Sequence, residues 1–205
     1  MGKMSTEEKI LDAAENEMLS RGYEGARMRS ISLKANINKG LLHYYFKSKE
    51  ALMIAVFQRV FNEIFRSLAK VFASDKPIFE KIDLAVEEYT NFLIKNPRLP
   101  FFIISEMNRD PENHMNRMRK AGAEPPFKRL FDELDEGKSK GIIRKDLQTE
   151  HFMLNMMGLI LFPFIAKSMI LYLHNISSEE YKSLLESRKE EVKKLLIKDI
   201  KASKS

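Results

Sequence analysis

With 205 residues, 44% hydrophobic and 31% charged, the chain can form one compact domain or two small ones and is too apolar to be disordered. It has no cysteine, which excludes disulfides, thiol catalysis and cysteine-ligated zinc and fits a reducing cytoplasm. A formal net charge of +6 and a pI near 9.3 favour a nucleic-acid or anionic-surface partner.

Ser5 followed by Glu8 has the spacing of a capping box, so a helix is expected to open there. Ile10, Leu11, Ala14 and Met18 form its buried stripe, and Gly22 can end it in a left-handed conformation. These apolar residues interleave with Glu7, Glu8 and Asp12, unlike a signal peptide. The opening Met-Gly-x-x-x-Thr matches a myristoylation pattern and is taken as chance, or as a leader remnant before Met4.

Residues 27–49 organise the rest. Met28, Ile31 and Ala35 fit one face of a short helix. Asn36 tolerates the left-handed conformation of a tight turn, and Ile37 can plug the gap between two crossing helices. Asn38 is an expected N-cap for a second short helix. In that helix Leu42 and Phe46 fall at i, i+4 and face inward, which turns Lys39, Gly40, His43 and Tyr44 outward. Two short helices across a tight turn, the second exposing basic, small and aromatic residues, predict a helix-turn-helix. From Arg21 to Lys49 seven basic residues stand against one acid, a local charge of +6 that equals the net charge of the whole chain. Each phosphate neutralised by such a patch releases condensed counterions, so DNA is the expected partner.

These residues resemble the DNA-binding domain of the TetR (tetracycline repressor-like) transcriptional regulators. The resemblance rests on ILDAA at residues 10–14, RGYE at 21–24, Met28, Arg29 and Ile31, and above all the IN-KG-L-HYYFKSKEAL pattern of residues 37–52. It covers about the first 60 residues at motif level. Where the family usually has Thr and Tyr, this chain has Leu41 and His43, and Ala26 and Arg27 stand where a small Ser or Thr is usual. Lys39 and Gly40 are expected at the groove, with His43 and Tyr44 on base edges or methyl groups and Arg29, Tyr45 and Lys49 on phosphates. Arg27, Asn38 and Leu41 complete the expected DNA-binding set.

Ser48 is expected to cap a long helix whose face runs Phe57, Val60, Phe61, Ile64, Phe65, Leu68, Phe72 and which ends near residues 74–76. That helix would connect a DNA-binding domain at residues 1–50 to a helical effector-binding and dimerisation domain at 51–205. Pro77 opens a helix with Ile78, Ile82, Ala85, Val86, Tyr89 and Leu93 on one side, and Asn96-Pro97 stops it. Residues 99–107 are nearly all apolar and predict a short helix buried on every side. Asp110-Pro111 begins a segment with Met115 and Met118 on one face, and Pro125-Pro126 opens a helix carrying Phe127, Leu130, Phe131 and Leu134. Gly137 and Gly141 bracket a turn. Residues 151–173 are the most hydrophobic stretch, but Asn155, Pro163 and Lys167 interrupt it, so a buried helix is expected and no membrane span. Ser177 and Glu180 give a second capping box, and a last helix follows with Tyr181, Leu184, Leu185, Arg188, Val192, Leu195 and Leu196 on one face. No stretch alternates with period two, so the fold class is all-α.

The TetR resemblance implies dimerisation through the last two long helices and an effector pocket in the C-terminal domain. Among twelve methionines, Met107, Met115, Met118 and Met156 could line such a pocket with Tyr89, Phe101, Phe102, Phe127 and Phe162. The four histidines have no metal-ligand spacing, and there is no dinucleotide, phosphate-loop or nucleophile-elbow motif; neither metal nor cofactor nor enzyme activity is expected. The expectation is therefore a cytoplasmic, homodimeric repressor bound to an inverted repeat in double-stranded DNA and released by a small apolar ligand. The alternative is a DNA-bound regulator whose C-terminal domain recruits a protein partner.

Overall fold

Ser5 accepts from Glu8 N–H while the Glu8 carboxylate accepts from Ser5 N–H, and this reciprocal cap opens α1, Thr6–Gly25. The computed structural model describes residues 4–120 and 126–202, without the side chains of His114, Met115, Arg117 and Met118. The side chains of Met115 and Met118, and the whole of Pro125, thus lie outside what is described. The described residues form helices throughout, with one isolated bridge between Ile143 and Lys201. They divide into two compact units.

The first unit holds residues 1–63 and 101–124. It contains α1, α2 (Met28–Lys34), α3 (Lys39–Tyr45), the first part of α4 (Lys49–Ala73), most of α6 (Leu99–Arg109) and α7 (Pro111–Lys120). Its core takes Ile10, Ala14 and Met18 of the predicted stripe, with Leu11 only half-buried, and Ile31, Leu42, Leu52, Met53 and Phe57 are fully buried with them. Ser48 Oγ accepts from Ala51 N–H at 3.0 Å and so caps α4. Arg59 on α4 forks to Asp12 and Glu15 on α1, adding a charged tie to the apolar contact. Gly22 does not terminate α1 outright; its φ of 69° kinks the helix, which resumes to Gly25. Helix α6 is not buried on every side, since Phe101 stays 61% exposed while Phe102 packs on Phe57.

The second unit, residues 64–100 and 125–205, holds the end of α4, α5 (Ile78–Lys95), α8 (Lys128–Ser139), α9 (Thr149–Ile165), α10 (Lys167–His174) and α11 (Ser178–Ile200). Its centre is α5, which packs against α8, α9 and α11 through Ile82, Ala85, Val86 and Leu93. The buried Lys81 ammonium donates to both Glu133 oxygens at 2.6 and 2.8 Å and to Phe72 O at 3.2 Å, joining α5 and α8 to the last turn of α4. A cation there also meets the negative end of the α4 dipole. Helix α8 begins at Lys128 and includes Gly137, where a Cβ would stand 2.7 Å from Ile143 Cδ1; the turn is at Gly141, at φ 68°.

The expected single helix over 151–173 is two helices, bent by 73° at Ala166. Pro163, inside the first of these helices, has no N–H to return to Leu159 O. Helix α11 compensates twice: Arg188 Nε donates to Leu159 O at 3.3 Å, and the Tyr181 hydroxyl donates to Pro163 O at 2.8 Å. After the bend no residue of α10 is buried, and Tyr172 is 85% exposed. Among the described residues no single helix is long and apolar enough to cross a membrane; the bent pair passes that test only by length and composition.

Candidate nucleic-acid interface

The turn between α2 and α3 has the geometry its residues favour. Asn36 adopts φ 54°, and the Ile37 N–H reaches back to Ser32 O at 3.0 Å. Asn38 Oδ1 accepts from Leu41 N–H at 2.7 Å and starts α3. Gly40 leaves room for this cap, since a Cβ would come within 3.3 Å of Asn38 Oδ1. Leu42 and Phe46 hold α3 to the core, so Lys39, Gly40, Leu41, His43, Tyr44 and Tyr45 all face solvent. Tyr44 is 72% exposed, packs edge-on against Tyr45 and carries the Lys47 ammonium 5.6 Å from its ring centroid. Lys47, two residues past the aromatic pair, adds a cation that the sequence pattern does not single out.

Arg27 and Arg29 are exposed around the start of α2. Asn38 is exposed, but its side-chain oxygen is committed to the cap. Lys49 is half-buried: its ammonium donates to Glu24 O at 3.0 Å and lies 4.5 Å from the Tyr23 ring centroid. Lys34, one of the seven basic residues, is paired with the buried Glu17. Burial pushes the Glu17 carboxyl up, but hydrogen bonds from Lys34 and Ser30 with the Lys34 and Arg21 charges hold it below the usual carboxylate range. That pair fixes α1 to α2 behind the exposed face.

The ligand-pocket candidates are divided between the units. Phe101, Phe102 and Met107 are in the first, with Phe102 buried and the other two exposed. Tyr89, Phe127, Met156 and Phe162 are in the second. Tyr89 is half-buried with its phenol pushed up to about 12 by burial, Phe127 packs against Phe72 and Phe131, Met156 is buried and Phe162 is exposed. On α9, Leu154, Gly158 and Phe162 recur at i, i+4, i+8 as an exposed stripe. A groove of about 460 Å³ runs beside it, lined by Leu154, Gly158, Leu159, Leu195 and Leu196 of α9 and α11, with Asn155 and Asp199 as its polar members.

A capped helix bearing basic and aromatic side chains, set by a left-handed turn against a second short helix, defines a helix-turn-helix DNA-binding protein. Residues 10–56 match the family described as bacterial regulatory proteins, tetR family. Over those residues the chain carries that family's DNA-binding domain, within a helical protein that is similar to transcriptional regulators. It is 30% identical over 97 residues to an uncharacterized HTH-type transcriptional regulator of Haemophilus influenzae, covering 47% of this chain and 52% of that protein's length. It is 24% identical over 167 residues to the HTH-type transcriptional repressor NicS of Pseudomonas putida, covering 77% of this chain and 74% of the other. The crystal structure of the transcriptional regulator FadR from Bacillus subtilis, in complex with stearoyl-CoA, shares the fold at a TM-score of 0.72 and 19% identity, over 94% of this chain and 98% of that one.

Proposed function

We propose that the protein is a homodimeric repressor that binds an inverted repeat and is released by a small, mostly apolar ligand. Residues 1–50 supply DNA binding and residues 51–205 effector binding and dimerisation. The observation that carries the reading is the exposed face of α3, with Lys39, Gly40, His43 and Tyr44 outward on a helix anchored by Leu42 and Phe46. Gly40 allows close backbone approach, Lys39 reaches a base edge or phosphate, and Arg27, Arg29, Tyr45 and Lys49 take phosphates that fix register.

A second copy is the occupant that fits the stripe on α9 and the groove beside α11, because a two-fold axis brings one apolar face against itself. Four helices, two from each chain, would then form a bundle. Support for an apolar effector comes from the Phe, Leu and Ile residues of the second unit and from the stearoyl-CoA bound by the FadR structure. Release follows from linkage: a ligand preferring a head spacing unsuited to DNA weakens DNA binding by the same factor that DNA weakens ligand binding.

Selection from a randomised duplex library, followed by footprinting, tests the reading. An inverted repeat protected by a dimer is the expected result; a direct repeat, or a protein monomeric in sedimentation at working concentration, refutes it. A regulator that recruits a protein partner would instead show no thermal stabilisation by any apolar ligand.

A further inference from the structure

We infer that Glu106 on α6 is a positioning residue that sets the geometry of Lys49 through the kink in α1. Glu106 is 4% exposed, although it is a carboxylate and lies outside the helix-turn-helix. Its Oε1 accepts from the Tyr23 backbone N–H at 3.2 Å, just after Gly22 turns the chain out of the helical ladder with φ 69° and ψ 172°. A Cβ at Gly22 would lie 3.6 Å from the same oxygen, so the carboxylate sits directly against the kink. Its Oε2 pairs with Arg109, whose guanidinium also comes within 4.0 Å of Glu24.

Two residues of this segment, Tyr23 and Glu24, hold Lys49 from another side. The Lys49 ammonium donates to Glu24 O and lies on the Tyr23 ring. Residues 22–24 are therefore fixed by Glu106 of α6 and in turn fix the cation at the start of α4. A buried acceptor with two partners tolerates little displacement, because losing either leaves a polar group unpaired away from water. A shift of α6 must therefore move the 22–24 segment or break the Tyr23 bond, and either outcome changes where Lys49 points. The inference rests on Lys49 being a phosphate contact.

The test uses the full chain and a mixed-sequence DNA duplex titrated across a salt series. Glu106→Met fills the buried volume without an acceptor, and Glu106→Gln keeps an oxygen for Tyr23. Glu106→Met is expected to weaken binding as Lys49→Ala does and to lower the salt slope by about one unit, with Glu106→Gln restoring both. The double variant should bind no more weakly than Lys49→Ala alone. In the wild-type chain, exchange of the Tyr23 amide should change when duplex is added, a readout that needs no variant to fold. If Lys49→Ala weakens binding while Glu106→Met leaves affinity and slope unchanged, or if Tyr23 exchange ignores DNA, the inference is overturned. If Lys49→Ala itself has no effect, the phosphate assignment fails instead.

Discussion

Among single residues, the contrast between Lys39 and Lys49 separates base reading from phosphate holding. Lys39 is fully on the exposed side of α3, whereas Lys49 is half-buried and tethered to Glu24 O at 3.0 Å. Lys49→Ala should weaken all sequences alike and reduce the salt slope by about one unit. Lys39→Ala should relax preference at one operator position, with about 1–3 kcal/mol of discrimination lost. Equal effects of both changes on a randomised library would remove the distinction. Asn38 makes a different prediction because its oxygen is spent on Leu41 N–H. Asn38→Ala should lower stability by about 1 kcal/mol in urea unfolding, and Asn38→Asp should recover most of it as another competent N-cap.

Among helices, α5 and α11 are joined by a charged ladder whose strength depends on pH. Glu87 accepts from Lys189 at 2.8 Å and Lys193 at 2.7 Å, and these hydrogen bonds lower its carboxyl from 4.5 to about 2. A depressed carboxylate stabilises the fold fully above its unfolded value, so the benefit should vanish as pH falls from about 4.5 toward 2. Glu87→Gln should therefore cost about 1–2 kcal/mol at neutral pH, allowing for solvent screening, and progressively less as the carboxyl protonates in wild type. Unfolding midpoints of both proteins across that window decide it; a difference independent of pH would mean the pair contributes nothing. This ladder was invisible in the sequence, since it joins residues about a hundred positions apart on faces that read simply as solvated charge. The helix-turn-helix was legible for the opposite reason. Asn36, Asn38, Leu42 and Phe46 act within a few residues of one another, so turn, cap and inward face all follow from local chemistry. The stretch over 151–173 lies between these cases. Pro163 announced an interruption, but the 73° bend is stabilised by Arg188 and Tyr181 from another helix, and no local pattern encodes those bonds.

In the whole molecule, the proposed dimer places the two recognition helices about one DNA turn apart, roughly 34–36 Å, or a multiple of it. Phe162 is 53% exposed on the α9 stripe, and Phe162→Glu should shift sedimentation toward monomer while leaving helicity intact. Specific binding should then fall, because two half-sites no longer share one protein, whereas weak nonspecific binding persists. In the proposed mechanism, an effector would act by altering the spacing of both heads at once. Within the apolar stretches from Pro77 to Leu173 the ionisable groups are few, Arg98, Glu106 and Lys167 among them; Glu106 is already committed to Arg109 and Tyr23, and the buried Lys81 to Glu133. Burying an unpaired ionised group costs several kcal/mol, so a ligand with one carboxylate or amine is admissible and one that must bury several charges is not. An acyl-CoA satisfies this only if its tail enters and its polyanionic head stays in water. Fatty-acyl, aromatic or lipophilic compounds should therefore release the duplex selected by the protein, while nucleotides and sugar phosphates at matched concentration should not. A polyanionic metabolite that releases DNA at micromolar levels while every apolar compound fails would show that the pocket has a different chemistry.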